Sequence, residues 1–483
     1  MPTYPPTDEQ QQCIDAFTSA TDLRIQAGAG AGKTSTLKFL AAAKPAKQGV
    51  YVAYNASIKN EAKRDFPRNV RCVTSHGLAF PTFGVRFKHR LNGPRVPAYQ
   101  VADTLGIHQR IRVGKLAVLT PAQIASHVLA TVKKFTYSAD REITAANVPR
   151  PPGYTIADYS ELAPQIVPFA HRAWQDIADP AGRLKFEHDH YLKMWALHRP
   201  TIEGDYLMLD EAQDANPLVT SLVMTQQQMQ RVAVGDSCQQ LYAWRGADDA
   251  LNKLPGVERT LSQSFRFGQA VADEANVWLD LLDADIRLIG FEKIDSRIGR
   301  LHAPDAILCR TNAGCMNSAI GLMNSGQRVA LVGGGSSILA MAYAAMELRA
   351  GGTTNHPELV AFETWDQVCD YADTDDGGDL KPMVELIQAH GAEGVIRAVR
   401  SLSDAKAAQV TVSTAHKSKG LEWSTVKIGG DFYPPKKNPE TGKRLISRAM
   451  AMLAYVAVTR ARETLDCEAL DWVGEVDGVM GAN

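Results

Sequence analysis

The sequence predicts an α/β protein with two parallel-sheet domains in tandem, each carrying an inserted, mostly helical subdomain. Three observations carry this prediction. Short apolar runs end in polar, glycine-bearing turns and precede helical spacing, as in strand–helix–strand units. The runs fall into two sets, each interrupted by a stretch of different character. The length, 483 residues, suits about two to four domains.

In the first set the runs are 23–26, 50–54, 70–73, 206–209 and 232–234. The stretch between them is richer in basic residues and helical spacing, as at 124–134. This predicts a first core over 1–80 and 200–260, with a helical insertion over 81–199. In the second set the runs are 306–309, 329–332, 410–413, 426–428 and 464–467. Gly333, Gly334 and Gly335 open a second interruption, whose loops are expected at 351–354 and 373–379. This predicts a second core over 261–337 and 409–483, with a reduced insertion over 338–408.

Composition narrows the function classes. With 45% hydrophobic and 22% charged residues, the chain can build cores and is not disordered overall. Its 37 glycines show no three-residue period, which excludes collagen. No apolar run approaches the roughly 18 residues of a membrane span, and the polar, proline-rich N-terminus shows no secretory signal. Seven cysteines, an odd number with no CxxC pair, argue against a disulfide framework or a zinc site. These features predict a cytoplasmic or nucleoid-associated protein with no membrane partner. The 52 basic and 53 acidic residues give a net charge of −1, so any polyanion must be held by a local patch.

Two motifs carry chemistry. Ala27-Gly28-Ala29-Gly30-Ala31-Gly32-Lys33-Thr34 follows a strand-like run and precedes the helical pattern beginning at Ser35. Small residues there let backbone N–H groups turn toward phosphate oxygens, and the helix N-terminus adds its dipole. Lys33 is expected to reach the β and γ phosphates of ATP, and Thr34 to hold Mg²⁺. Further on, the apolar run 207–209 ends in Asp210 and Glu211. Asp210 is expected to bind Mg²⁺, and Glu211 to polarise the attacking water as general base. An acidic pair in that place can equally be a helix cap; the preceding phosphate loop favours the catalytic reading.

Taken in order, the motifs resemble those of superfamily 1 helicases of the UvrD/Rep branch. Pro6-Thr7-Asp8-Glu9-Gln10 resembles the adenine-reading Q motif, and the phosphate loop has the family's AxAGxGKT form, which accounts for Ala27 in place of glycine. Asp210-Glu211-Ala212-Gln213-Asp214 matches DExxD, and the stretch from Gly235 through Gln239, Tyr242, Trp244 and Arg245 to Ala247 matches the third motif. Gln263-Ser264-Phe265-Arg266 resembles the fourth, the stretch from Thr414 to Trp423 the fifth, and that from Tyr455 to Arg462 the sixth. Tyr54-Asn55 with Thr74-Ser75-His76 is similar to the eukaryotic F-box DNA helicases and their phage or bacterial relatives.

The resemblance implies two RecA-like domains with ATP and Mg²⁺ between them. It assigns Gln10 and residues 27–35, Ser35 included, to nucleotide binding. Gln239 is to sense the γ-phosphate, Arg266 and Arg460 to act as arginine fingers, Phe265 to stack on adenine and Glu422 to accept from the ribose. Phe265 stands where the family usually has Tyr, and its ring face still supports stacking. Single-stranded DNA is expected to stack on Trp244, with Tyr54 and Tyr242 as weaker platforms. Asn55, Thr74, His76, Arg245, His416 and Lys417 are expected to contact its backbone. Ala56 replaces a lysine common in relatives, which removes one phosphate contact. Arg86, Lys88, His89, Arg90, Lys133 and Lys134 read either as a solvated face or as an extension of the basic track.

The implied activity is an ATP-dependent DNA helicase moving 3′→5′ as a monomer on single-stranded and tailed duplex DNA, with an accessory protein among its partners. A second reading is a strand-stimulated ATPase that translocates or remodels protein–DNA complexes without processive unwinding, in keeping with the short second insertion. A phosphate-loop kinase or nucleotide-gated switch needs one core and an acceptor site, and the second core with Arg266 and Arg460 speaks against it.

Overall fold

Apolar runs of valine, isoleucine, leucine and tyrosine bounded by polar turns become the strands of two six-stranded parallel sheets. The computed structural model describes residues 5–94, 96–113, 117–150, 154–241, 250–354, 356, 358–359, 362, 364–373 and 380–480. The chain divides into two units. The first comprises Met1–Ala27 and Gly32–Leu261, and the second Gly28–Ala31 and Ser262–Asn483.

The strands of the first unit are β1 (Leu23–Ala27), β2 (Gly49–Ala53), β3 (Val70–Thr74), β4 (Ile111–Val113), β5 (Ala117–Leu119), β6 (Tyr206–Leu209), β7 (Gln230–Gly235) and β8 (Val257–Leu261). The main sheet has the order β3-β2-β6-β7-β1-β8, and its strands pair in parallel. Every residue of β2 and β6 is buried. That suits strands covered on both faces, which read as unbroken apolar runs. Register is direct: Gly49 lies opposite Tyr206 and Val52 opposite Leu209. β4 and β5 form a separate antiparallel pair.

Between β3 and β6 the chain forms helices Ala98–Leu105, Pro121–Tyr137, Ile156–Ala178 and His188–Leu197. Thr120 and Thr155 open two of these with capping boxes closed by Gln123 and Asp158. Ile124, Val128, Phe135, Ile166 and Phe169 share one buried cluster with Val50, Val52, Leu207 and Leu209 of the sheet. Each such fully buried side chain contributes about 1.5–3 kcal/mol, so helices and sheet are held as one body. Phe87 and Phe186 stack inside it with ring centroids 4.3 Å apart. Lys193 is buried there too. Its amine donates to the Ser138 carbonyl at 2.8 Å and sits 4.0 Å from the Phe135 ring centroid.

The second unit carries β9 (Arg297–Ile298), β10 (Ala306–Cys309), β11 (Val329–Leu331), β12 (Val410–Thr414), β13 (Trp423–Ile428), β14 (Leu445–Ile446), β15 (Ala461–Asp466) and β16 (Gly478–Val479). Its main sheet has the order β11-β12-β10-β13-β15-β9, again parallel. β14 and β16 pair separately. Helices Ser336–Arg349, Trp365–Ala372, Lys381–His390 and Ala392–Arg400 stand between β11 and β12. They close over Leu348, Trp365, Val368, Val384 and Ile387. Among the described residues, no helix is long and apolar enough to cross a membrane.

Candidate functional site

In a parallel sheet all strands end on one edge, and ligands collect there. In the first unit β1, β2, β3, β6 and β7 end at Ala27, Ala53, Thr74, Leu209 and Gly235. The segments beyond them carry Lys33, Tyr54, His76, Asp210 and Gln239. These five sequence-predicted residues therefore gather at one edge because the fold is parallel.

The phosphate-loop segment leaves β1 at Ala27 and enters the helix Lys33–Ala43. Gly30 and Gly32 have φ of 74° and 72°, the left-handed region that a Cβ disfavours. Ala31 N–H donates to the Gly28 carbonyl at 3.2 Å, closing a tight turn, and Ala27, Ala29 and Ala31 are buried. Gly32 is the helix N-cap and supplies no side-chain cap. Thr34 and Ser35 lie half-buried in the first turn. An eleven-residue helix opening without a side-chain cap presents amides and a positive dipole end, which suits an anion.

From Lys33 a chain of polar contacts crosses the sheet edge. Its ammonium lies 3.3 Å from a Glu211 oxygen. The other Glu211 oxygen accepts from the Gln213 amide at 2.5 Å. The Gln213 carbonyl oxygen accepts from Asp236 N–H at 3.0 Å, and an Asp236 oxygen accepts from the Gln239 amide at 2.7 Å. The ends of β1, β6 and β7 are thus linked through five residues, Asp236 contributing both its backbone N–H and its carboxylate. Glu211 itself has φ 50° and ψ 45°, a left-handed conformation that is rare for such a residue.

Asp210 lies beside this chain, 4% exposed. It accepts from the Tyr51 hydroxyl at 2.6 Å and from Glu211 N–H at 2.9 Å. Burial, and then the charge of Glu211, raise its pKa to about 6 against the opposing pull of Tyr51 and Lys33. A buried carboxylate whose charge is disfavoured in this way fits a cation, which would stabilise its charged form. Asp210 and the Thr34 hydroxyl offer the hard oxygens that Mg²⁺ prefers, in the small number usual where substrate phosphate and water complete the shell.

Gln10 is held between its own helix and the helix that follows the phosphate loop. Its amide donates to the Thr36 hydroxyl at 3.0 Å and its carbonyl oxygen accepts from Thr7 N–H at 3.1 Å, completing a capping box on helix Asp8–Thr18. Tyr54 is 40% exposed just beyond β2. Asn55 caps helix Ala56–Asp65 through Ile58 N–H at 2.9 Å, and Thr74 caps helix Ser75–Ala79 through Gly77 N–H at 3.0 Å. His76 Nε2 lies 2.9 Å from one Asp189 oxygen, while the Tyr137 hydroxyl donates to the other at 3.2 Å. Burial, the largest single influence, pushes Asp189 up, but the His76 contact, the Tyr137 hydroxyl and His190 together outweigh it and the net pKa lies below the usual carboxylate value.

Arg90 belongs to no basic track. Its guanidinium turns inward to the carbonyls of Ile177 at 3.1 Å and Leu184 at 2.6 Å, closing the C-terminal end of helix Ile156–Ala178. Tyr242, Trp244 and Arg245 lie outside the described residues.

In the second unit Arg266 pairs with Glu422 at 2.8 Å and donates to the Thr459 carbonyl at 3.1 Å. Arg460 is 1% exposed. It donates to the Val456 carbonyl at 2.8 Å and to the Thr459 hydroxyl at 3.0 Å. Both arginines thus converge on Thr459. Glu422 also lies 4.0 Å from Arg462, so its carboxylate is flanked by two guanidinium groups. Phe265 packs edge-on against Phe291, centroids 5.4 Å apart. Half-buried His416 has its pKa lowered by burial. The Lys417 amine lies 3.5 Å from the Asn312 side-chain oxygen.

Tyr51, Asp189 and Gln213 carry these contacts without a role read from sequence. Gln213 stands inside the DExxD motif, which was its signal. Tyr51 and Asp189 reach their partners only through tertiary packing.

Known proteins match this chain over most of its length. Residues 10–245 match a family model described as an AAA domain, and residues 376–467 match the UvrD-like helicase C-terminal domain. The chain is 26% identical over 511 residues to F-box DNA helicase protein 1 of Schizosaccharomyces pombe, covering 95% of this chain and 57% of the relative. It is 27% identical over 502 residues to F-box DNA helicase 1 of Gallus gallus, covering 95% of this chain and 48% of the relative. The chain therefore spans about half the length of the curated relatives it matches.

Proposed function

Since the chain belongs to the UvrD-like superfamily 1 helicases and carries their two RecA-like parallel sheets, we propose that it is an ATP-hydrolysing motor that moves 3′→5′ on single-stranded DNA and unwinds duplex. The observation that carries the ATPase reading is the polar chain from Lys33 through Glu211, Gln213 and Asp236 to Gln239. It links the phosphate-binding lysine, the general base and the phosphate sensor. The match to proteins named DNA helicases supports the substrate, and the family resemblance supports the polarity.

On this reading the Lys33–Glu211 pair is the resting state. A γ-phosphate competes for Lys33, and Glu211, still held by Gln213, is released to take a proton from the attacking water. Its left-handed backbone aims the carboxylate, a use that strained residues often serve. Asp210 and Thr34 would hold Mg²⁺, which supplies positive charge against the phosphates when bound. Arg266 and Arg460 stabilise the charge of the transferring phosphate. Strand contacts fall to Tyr54, Asn55, Thr74 and His76 in the first unit and to His416 and Lys417 in the second, with Trp244 as the stacking platform.

The test is ATP turnover with and without single-stranded DNA, together with unwinding of duplexes tailed on either strand. Stimulation by the strand and opening of 3′-tailed duplexes are expected. Turnover indifferent to DNA would remove the motor reading. Stimulated turnover without strand separation would leave a translocating or remodelling ATPase.

A further inference from the structure

Beyond β13 the chain forms a basic, well-held hairpin that no motif claims. From Lys436 to Arg444 it holds four basic residues and one acidic residue, in a chain of 52 basic and 53 acidic. Lys437 and Arg444 face each other in an antiparallel bridge. Asn438 shapes the tip: its side chain accepts from Glu440 and Thr441 N–H at 2.8 and 3.1 Å, and its carbonyl accepts from Gly442 N–H at 2.8 Å. Gly442, with φ of 68°, makes the left-handed turn a Cβ would resist.

The root is fastened as well. Arg444 N–H donates to the Asp477 carboxylate at 2.7 Å, and the Arg444 guanidinium reaches the Pro435 carbonyl at 2.8 Å and Glu475 at 3.3 Å. These contacts occupy Asp477 and Glu475 with one arginine. Among the described residues, Lys436, Lys437 and Lys443 have no carboxylate within 4.0 Å, and all three are exposed. Glu440 at the tip is the one acid within the hairpin. Tyr433 stands at the base, 61% exposed. Exposed cations on a pre-formed backbone beside an open aromatic ring match the needs of a polyanion with stackable bases.

The hairpin is joined to the strand-contact segment of its own unit. Asp431 at its root accepts from Arg310 N–H at 2.9 Å and from Thr311 N–H at 2.8 Å, at the end of β10. The next residue, Asn312, meets Lys417 beyond the neighbouring β12. A backbone passing Lys417 has these lysines on the same sheet edge.

We propose that the hairpin 433–444 is a further nucleic-acid contact, in which Lys436, Lys437 and Lys443 hold sugar–phosphate backbone and Tyr433 offers its ring to a base. This rests on the DNA-motor reading above. Replacing the three lysines together with alanine removes charge without touching the root. The readout is affinity for a single strand and for a blunt duplex, by fluorescence anisotropy over a salt series, with thermal unfolding as the fold control. The salt slope of log affinity should shrink by about 2 for a single strand or nearly 3 for duplex, since each phosphate contact contributes about 0.7 for single strands and 0.9 for duplex. The nucleic acid that shows the drop is the one the hairpin holds. A triple lysine-to-arginine variant should keep the parental slope, and Lys436→Gln alone should lose about 0.7–0.9. Slopes equal to the parent's on both nucleic acids would overturn the inference. A parent that binds neither would overturn the motor reading instead.

Discussion

Glu211 draws the polar contacts of the first unit's sheet edge together at one residue. Its carboxylate is shared between an ammonium and an amide, and its backbone occupies a left-handed conformation. Glu211→Gln keeps the shape and removes the proposed base. Strand-stimulated kcat should fall about 10²–10⁴-fold, the usual contribution of a general base, while nucleotide binding persists; steady-state turnover and a nucleotide titration separate the two. Gly32 is the second sensitive residue. Gly32→Ala forces a Cβ into φ 72°, at a cost of about 1–2 kcal/mol. A lower thermal midpoint together with weaker ATP binding is expected. At this scale the sequence already singled out Lys33, Asp210 and Glu211, and the structure places the Lys33 ammonium 3.3 Å from Glu211, with Asp210 accepting from Glu211 N–H. It did not reveal Arg90 as a helix-closing residue or Gln10 as a cap. Nothing in a side chain's type tells whether its donors will meet solvent, a ligand or a carbonyl from a distant helix.

Elements were legible where burial is two-sided. The run 206–209 lies on β6 and the run 50–54, except for exposed Tyr54 at its end, lies on β2; all residues of these two strands are buried, so the apolar signal is continuous. β8 was missed. In Val257-Glu258-Arg259-Thr260-Leu261 only Leu261 is buried, and an edge strand with charged neighbours reads as a loop. β9, with two exposed residues, has no periodicity to read. One element carries a pH dependence. His190 closes the capping box of helix His188–Leu197, its Nδ1 accepting from Glu187 N–H at 2.9 Å. Burial lowers its pKa from 6.5 to about 4. Since the folded pKa is depressed, the stability is present above 6.5 and is lost as pH falls through about 4. The loss is at most about 3 kcal/mol. His190→Gln should flatten that acid limb in chemical unfolding followed between pH 7 and 4, an interval set by the same pKa values.

Over the whole molecule, each unit carries part of the predicted machinery, and each part can be tested by what it leaves behind. Arg266 is held by Glu422 and the Thr459 carbonyl. Arg266→Ala should cut strand-stimulated turnover about 10³–10⁵-fold, the range for an arginine finger, and change the affinity for a non-hydrolysable ATP analogue far less. Equal losses in both measurements would make Arg266 a structural residue. Arg460 is a poorer probe, because its buried guanidinium holds Val456 and Thr459; its replacement would unfold as well as inactivate.

The pairing of Gly49 with Tyr206 has a consequence during synthesis. A ribosome delivers β2 more than 150 residues before the strand that will cover its flank. At about 5–20 residues per second, that flank waits some seconds with its N–H and C=O groups unpaired, a template for adventitious pairing. The intervening helices, whose contacts are more local, can settle first and shelter it. Chaperone dependence of the nascent chain should therefore rise when those helices are destabilised, even by substitutions far from the nucleotide.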